Sequence, residues 1–273
     1  MRRPAILISA VMMLLLISSP ASATAPTGLY VALGDSLAVG DGASDWDTTA
    51  YVPLMADYYA GKMHGDAKSS VNLGVRGETT SSFLVGQLSA AVGAVLDPAT
   101  DTRVVTLSIG GNDVGSLLND PADACVADPF GSDCQAQVAA ALTTVAANYP
   151  AIIGTLQWAL AQDPGDEPIY VLTVYNPFGG TNTPYEGPVD AALLGTDLTV
   201  DCTALENPLN VGLNDIIACT SLALAAIPVD GYGAIGDNAL ALTHIGEGDF
   251  NSHPNDEGYA AIAKAHRLAA GSD

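Results

Sequence analysis

The segment Leu29-Tyr30-Val31-Ala32-Leu33-Gly34-Asp35-Ser36-Leu37 joins an apolar run to a polar turn. Residues 29–33 predict a short buried strand, and Gly34-Asp35-Ser36 predicts the turn that follows it. A serine on a strand-to-helix turn is exposed, and it becomes a nucleophile when a neighbouring base takes its proton. The segment therefore predicts a strand followed by a helix, with Ser36 as a candidate nucleophile.

The same alternation of apolar strands and helical stretches continues along the rest of the chain. Further strands are predicted at residues 70–73, 103–109, 169–175 and 226–229. Helices are predicted at residues 51–60, 81–96, 136–162 (bending at Pro150 into two buried helices), 208–224 and after Pro254. Alternation of this kind indicates a parallel sheet with helices on both faces. Such sheets bind ligands beyond the carboxyl ends of their strands.

Polar residues stand where those predicted strands end. Asn72 to Gly77 reads Asn-Leu-Gly-Val-Arg-Gly, and residues 110–113 read Gly-Gly-Asn-Asp. Near the C-terminus stands the segment Asp-Phe-Asn-Ser-His-Pro, residues 249–254. Its His253 is a candidate general base, because a neutral imidazole accepts a proton near pH 7. The N–H groups of Ser36 and Gly74 and the side-chain amide of Asn112 are candidate donors to a developing oxyanion.

Together these segments resemble the sequence blocks of the SGNH (GDSL) hydrolase superfamily, a family of serine esterases and lipases. Residues 30–36 are similar to block I, 72–77 to block II, 108–113 to block III and 253–259 to block V. The resemblance implies a flavodoxin-like three-layer α/β/α sandwich with a central parallel sheet. It also implies Ser36 as nucleophile, His253 as base, and Gly74 and Asn112 as oxyanion donors. No cofactor or metal is expected.

One position departs from the family pattern, which places an aspartate three residues before the histidine. Here that position is Phe250, and Asp249 lies four residues before His253. Two orienting groups for the imidazole therefore stay open, Asp249 and a nearby main-chain carbonyl, since a catalytic base normally has an orienting partner.

The N-terminus predicts a cleaved secretory signal peptide over residues 1–23. Arg2 and Arg3 precede an apolar run over residues 6–17, and Ala21-Ser22-Ala23 is a small-residue cleavage site. The alternative is a transmembrane anchor, for which about 20 apolar residues are needed. We therefore expect a secreted, extracellular protein whose residues 24–273 form one hydrolase domain.

Export makes disulfides plausible for the four cysteines. Cys125 and Cys134 lie close in sequence, and Cys202 and Cys219 flank another local segment. We predict these two pairs as disulfides. A metal site is the alternative, but there is no C-x-x-C and no histidine close in sequence to either pair.

Charge and composition limit the partners. The 273 residues include 30 acidic and 8 basic ones, for a net charge of −22, and 49% are hydrophobic. Binding to nucleic acid or to anionic membranes needs clustered Lys and Arg, so we expect neither. A monomer acting on a small-molecule or lipid ester is expected. The alternatives are a carbohydrate acetyl esterase and a non-catalytic secreted binding protein on the same scaffold.

A second glycine motif is assigned no ligand. Residues 231–236 match the dinucleotide-binding pattern G-x-G-x-x-G, but that site needs a helix to follow at once and further strands beyond it. The segment is predicted to be a flexible turn.

Overall fold

The computed structural model describes residues 27–63, 67–119, 122–162, 166–195, 197–202, 211–247 and 251–271. The predicted signal peptide, residues 1–23, lies outside this range. Asp249 also lies outside it, as does the beginning of the helix predicted at residues 208–224.

Five strands and twelve α-helices are present in the described part of the chain. The strands are β1 Thr27–Gly34, β2 Ala67–Asn72, β3 Thr100–Ser108, β4 Ile169–Leu172 and β5 Ile227–Val229. The helices are α1 Ser36–Val39, α2 Tyr51–Tyr58, α3 Thr80–Val85, α4 Gln87–Val95, α5 Gly111–Gly115, α6 Ala124–Ala127, α7 Ser132–Leu160, α8 Glu186–Leu194, α9 Leu213–Ala223, α10 Gly231–Ile235, α11 Ala239–Leu242 and α12 Asp256–Ala269.

The strands form one parallel sheet in the order β2-β1-β3-β4-β5. This is the strand order of the flavodoxin-like doubly wound fold. The predicted three-layer α/β/α class is confirmed. Because β1 lies between β2 and β3, Gly34 at its end pairs with Ser108 at the end of β3, and Ala32 pairs with Asn72 near that end. The segments after β1, β2 and β3 therefore meet at one edge of the sheet.

Each face of the sheet carries its own hydrophobic core. Successive side chains of a strand point to opposite faces. Val31 and Leu33 of β1 accordingly pack into the core covered by α4, α7 and α9, whereas Tyr30 and Ala32 pack into the core covered by α2 and α12. All four side chains are fully buried, which explains why the strand reads as a continuous apolar run.

Three helical predictions differ from the structure, as does the turn predicted at residues 231–236. Residues 132–160 form the single helix α7 with Pro150 inside it, not two helices, because buried contacts on both sides of the proline hold the helix together. The helix predicted at 81–96 divides at Gly86 into α3 and α4, since glycine is a poor helix residue. Helix α9 begins only at Leu213. Residues 231–235 form α10, where Asp230 caps the helix through the Gly233 N–H.

Helix α7 is long and apolar enough to cross a membrane by length and composition alone. Its buried side chains, among them Val145, Tyr149, Ile152 and Leu156, belong to one core of the sheet. We therefore interpret α7 as a packing helix of the sandwich.

Both predicted cysteine pairs are bonded in the structure. Cys125 of α6 is joined to Cys134 in the first turn of α7, and Cys202 is joined to Cys219 of α9. Each bond closes a short local loop, so the first ties α6 to α7 and the second ties the segment before α9 to that helix.

A buried histidine on α12 should make the fold sensitive to acid. His266 is fully buried, stacks on Tyr51 with ring centroids 5.2 Å apart, and hydrogen-bonds through neither ring nitrogen within the described residues. Burial lowers its pKa from 6.5 to about 3. The unfolded chain therefore binds a proton that the folded chain does not, and stability is lost as the pH falls from 6.5 towards 3.

We expect His266→Phe to remove about 3 kcal/mol of the loss in unfolding free energy between pH 7 and pH 4. Urea unfolding at several pH values measures it, with Lys264→Gln on the exposed face of α12 as the control. Parallel pH curves for His266→Phe and the wild type would contradict this assignment.

Candidate active site

The turn that carries Ser36 is fixed by close backbone packing. Gly34 has a φ of +135°, and a Cβ there would lie 2.1 Å from the Ser108 carbonyl oxygen, so only glycine fits. The Gln87 side chain accepts from the Gly34 N–H at 2.7 Å and donates to its carbonyl at 2.8 Å. Asp35 then caps α1 by accepting from the Leu37 N–H at 3.0 Å. These contacts place Ser36 at the N-terminus of α1, beyond the end of β1.

His253 lies against Ser36 although the two are 217 positions apart in the sequence. Its Nε2 is 2.9 Å from the Ser36 Oγ. The loop around it is held by a Tyr175 O–H that donates to the Ser252 carbonyl at 2.7 Å and by a His244 N–H that donates to the His253 carbonyl at 3.0 Å. The predicted nucleophile and base are thus in hydrogen-bonding contact, the geometry that proton transfer between them requires.

Burial shifts the pKa values of two groups at this site. It lowers the pKa of His253 below 6.5, an effect that nearby Asp41 opposes and that His244 and Arg76 reinforce. The imidazole therefore stays neutral, and able to accept a proton, to a lower pH than usual. Burial also raises the pKa of Asp35 to about 7, opposed by the backbone hydrogen bond from Leu37. Asp35 braces the turn through that bond.

The second ring nitrogen of His253 faces a residue that the sequence did not identify. Its Nδ1 is 2.8 Å from the Asn251 Oδ1. Asp249, one of the two predicted orienting groups, lies outside the described residues. The structure thus places a side-chain amide oxygen, rather than a main-chain carbonyl, next to Nδ1. The only sequence signal was the position of Asn251, two residues before the histidine.

Two of the three predicted oxyanion donors face the cavity in front of Ser36. The Asn112 Nδ2 donates to the Glu78 carbonyl at 3.0 Å, which leaves the second amide hydrogen for a substrate. The Ser36 N–H makes no hydrogen bond to other described residues. The Gly74 N–H instead donates to the Asn72 Oδ1 at 3.0 Å, so it can reach an oxyanion only by sharing or releasing that bond.

A cavity of about 1300 Å³ opens in front of Ser36, Asn112 and His253. One wall is a stripe on α7, formed by Gln135, Val138, Ala139, Leu142, Thr143 and Ala146. These positions recur at three- and four-residue spacing and so lie on one face of the helix. At 1.5 Å per residue the stripe is about 16 Å long.

The two ends of the α7 stripe lie at different distances from the reacting groups. Three residues beyond its inner end at Ala146, the Tyr149 O–H donates to the Ile109 carbonyl at 2.9 Å, directly after the end of β3. At the outer end, the Cys125–Cys134 disulfide and Phe130 also line the cavity. Phe130 is 65% exposed. The cavity therefore runs outward along α7 from the nucleophile to the disulfide loop.

A charged pair stands on the cavity wall nearest His253. The Arg76 Nε donates to both Asp41 carboxylate oxygens at 2.7 and 2.8 Å. The Arg76 guanidinium also lies 4.5 Å from the ring centroid of Trp46, which is 55% exposed. Asp41 and Arg76 both line the cavity. Trp46 thus lies beside the active site, with its ring packed against the Arg76 guanidinium.

Comparisons with known proteins agree with the fold. No curated protein sequence matches the chain. The fold is similar to that of an acetylxylan esterase, Axe2, from Geobacillus stearothermophilus, with 15% identity, a TM-score of 0.58, and coverage of 90% of this chain and 94% of that one. It is also similar to that of an extracellular lipase from Streptomyces rimosus, with 21% identity, a TM-score of 0.58, and coverage of 89% of this chain and 100% of that one. A phospholipase A1 from Streptomyces albidoflavus NA297 has 23% identity and a TM-score of 0.57, and the match covers 89% of this chain and 99% of that one.

The family is set by the sequence match, which covers most of the chain and all of the segments that meet in front of Ser36. Residues 32–261 match the GDSL-like lipase/acylhydrolase family, so the chain belongs to this family of carboxylic ester hydrolases.

Proposed function

We propose that this protein is a secreted serine esterase or lipase that forms an acyl-enzyme on Ser36 with His253 as the base. The observation that carries the proposal is the 2.9 Å contact between the Ser36 Oγ and the His253 Nε2 at the inner end of a large cavity. A hydroxyl in contact with a neutral imidazole is the arrangement that nucleophilic catalysis requires.

The reaction follows from the positions of these groups. The Ser36 Oγ attacks the ester carbonyl carbon while its proton passes to the His253 Nε2. The carbonyl oxygen becomes an oxyanion, for which Ser36 N–H and Asn112 Nδ2 are the donors, joined by Gly74 N–H if it leaves Asn72. The bond from carbon to the alcohol oxygen then breaks, and the leaving alcohol takes the proton from His253. Water, deprotonated by His253, releases the acid and restores Ser36.

The shape of the cavity favours a substrate with a long acyl chain. Its volume exceeds the range of about 300–1,000 Å³ found for pockets that hold drug-sized molecules. Val138, Leu142, Val189 and Leu193 are among its apolar wall residues. An acetyl group would leave most of this wall exposed to water, whereas each buried methylene of a longer chain stabilises binding by about 0.8 kcal/mol. We therefore rank lipid esters above acetylated carbohydrates.

An acyl-chain profile tests this function. With p-nitrophenyl esters from acetyl to palmitoyl, we expect kcat/KM to rise with chain length. We expect Ala139→Trp, in the middle of the α7 stripe, to lower kcat/KM for the palmitoyl ester at least about tenfold while changing the acetyl ester little, because a ring that excludes about three methylenes removes about 2 kcal/mol of binding.

The matched control is Ala140→Trp, the next residue of the same helix, which is exposed and does not line the cavity. It should leave the profile unchanged. Activity on acetyl esters and acetylated xylan alone would favour the carbohydrate esterase, and no hydrolysis of any ester would favour a binding protein.

Secretion is part of the same proposal. The predicted signal peptide and the two disulfides support export, since disulfides form and persist in oxidising compartments. We propose that residues 24–273 are the mature, extracellular chain.

A further inference from the structure

Asn251 makes two hydrogen bonds to the same histidine. Its Oδ1 accepts from the His253 backbone N–H at 3.1 Å and lies 2.8 Å from the Nδ1 of the His253 ring. One side-chain atom therefore fixes both the backbone and the ring of the residue that contacts Ser36.

These two contacts determine the protonation of the ring. A backbone N–H can only donate, so the Asn251 atom that it contacts is the amide oxygen and not the nitrogen. That oxygen can only accept, so the Nδ1 beside it must carry the hydrogen. In a neutral imidazole the other nitrogen, Nε2, is then the one with the free lone pair. Nε2 is the nitrogen that lies 2.9 Å from the Ser36 Oγ.

We propose that Asn251 is the positioning residue of His253, holding the imidazole in the Nδ1–H tautomer with a neutral amide oxygen where a carboxylate or a main-chain carbonyl was expected. The inference rests on the proposed function, because positioning matters only if His253 is the base. During acylation the Ser36 proton moves to Nε2, and the Nδ1 proton stays on the ring, hydrogen-bonded to Asn251.

A neutral orienting group has a measurable electrostatic consequence. A carboxylate within about 4–6 Å stabilises the imidazolium and raises the pKa of a histidine, by about 1–3 units for a close pair, whereas an amide oxygen adds no net charge. Among the described residues, the other charged or titratable groups that act on His253 are Asp41, Arg76 and His244. None of these changes when Asn251 is replaced, so a substitution there isolates the effect of its charge.

The first test is Asn251→Asp, a variant of the same shape that keeps the acceptor. We expect kcat near pH 8 to remain within about threefold of the wild type. We expect the acid limb of kcat/KM to move up by about 1 pH unit or more, because the raised pKa of His253 requires a higher pH to free its lone pair. An Asn251 side chain that lay away from the His253 ring would leave this limb unmoved.

The second test is Asn251→Ala, which removes the acceptor. We expect kcat to fall about 10- to 100-fold with KM within about twofold, because the ring can adopt the unproductive tautomer. Nitrogen-15 NMR of the histidine ring should show Nδ1 protonated in the wild type and a mixed tautomer in Asn251→Ala. Asn238→Ala, an exposed asparagine outside the cavity, is the control and should behave as wild type.

The variant Asp249→Asn distinguishes positioning of His253 by the Asn251 amide from positioning by the Asp249 carboxylate. Loss of activity in Asp249→Asn, together with an unmoved acid limb in Asn251→Asp, would overturn the proposal in favour of Asp249. Unchanged kcat in Asn251→Ala would also overturn it. Wild-type protein that hydrolyses no ester and forms no phosphonate adduct on Ser36 would instead refute the proposed function itself, so the two failures are distinguishable.

Discussion

Ser36→Ala is expected to lower kcat about 10⁶-fold. The kcat of the double variant Ser36→Ala/His253→Ala should be no lower than that of either single variant. The two side chains act as one unit through their 2.9 Å contact, because the hydroxyl is a poor nucleophile without the base and the base has no proton to take without the hydroxyl. Effects of such residues are strongly non-additive, as double substitutions in other serine hydrolases show.

The measurement is steady-state kinetics on a soluble butyryl ester combined with mass spectrometry after a serine-reactive phosphonate. Wild-type protein should carry one adduct on the peptide that contains Ser36, and Ser36→Ala should carry none. Ser89→Ala is the control, because Ser89 is an exposed serine of α4 whose Oγ donates to the Gly86 carbonyl. Full activity in Ser36→Ala, or additive losses in the double variant, would exclude the acyl-enzyme mechanism.

The grouping of Ser36 with Asn112 could be predicted from the sequence because the fold itself brings strand ends together, whereas His253 follows no predicted strand and was assigned from its residue type and the family resemblance. In a parallel sheet the carboxyl ends of all strands lie at one edge. A polar residue directly after an apolar run therefore belongs to that edge whatever its sequence separation. This is why Ser36 and Asn112 could be assigned to one site before the strand order was known.

The hydrogen-bond partners at the site could not be predicted from the sequence in the same way. Gly74 follows β2 as predicted, yet its N–H donates to Asn72, two residues earlier. Asn251 lies in the segment 249–254, but the sequence predicts no role for it, because such a role depends on its rotamer and on the path of the loop. Both contacts depend on angles that sequence spacing does not determine, since neighbouring side chains compete locally for the same donors.

The continuity of α7 was also missed for a physical reason. A proline inside a helix removes one backbone hydrogen bond and costs about 3 kcal/mol, which favours a break at Pro150 when only local preferences are considered. In the structure, Tyr149 hydrogen-bonds to the Ile109 carbonyl on one side of Pro150, and Ile152 and Ile153 are fully buried on the other. Tertiary packing of this kind outweighs a local penalty, and its partners are distant in sequence.

The second large effect is expected at Asn112, where alanine should reduce kcat about 10²- to 10³-fold with KM changed by less than about threefold. One amide hydrogen of Asn112 is used by the Glu78 carbonyl at 3.0 Å, and the other is available to the cavity that Asn112 lines. A donor placed at the oxyanion acts only when negative charge develops on the substrate oxygen, so its removal raises the barrier without weakening ground-state binding.

Two further measurements distinguish this role from a structural one. Loss of the bond to Glu78 alone would lower the thermal stability of Asn112→Ala and leave a correctly folded fraction with normal kcat. Loss of an oxyanion donor would in addition lower kcat in the folded fraction and slow the reaction of Ser36 with the phosphonate, whose phosphoryl oxygen occupies the same place. Asn238→Ala is the matched control for removing an exposed amide.

The expected loss of kcat in Asn112→Ala is smaller than in Ser36→Ala, because the Ser36 N–H still donates and the serine–histidine pair is intact. An Asn112→Ala variant with unchanged kcat would leave the Ser36 and Gly74 N–H groups as the only predicted donors, and the Gly74 bond to Asn72 would then have to open during each turnover.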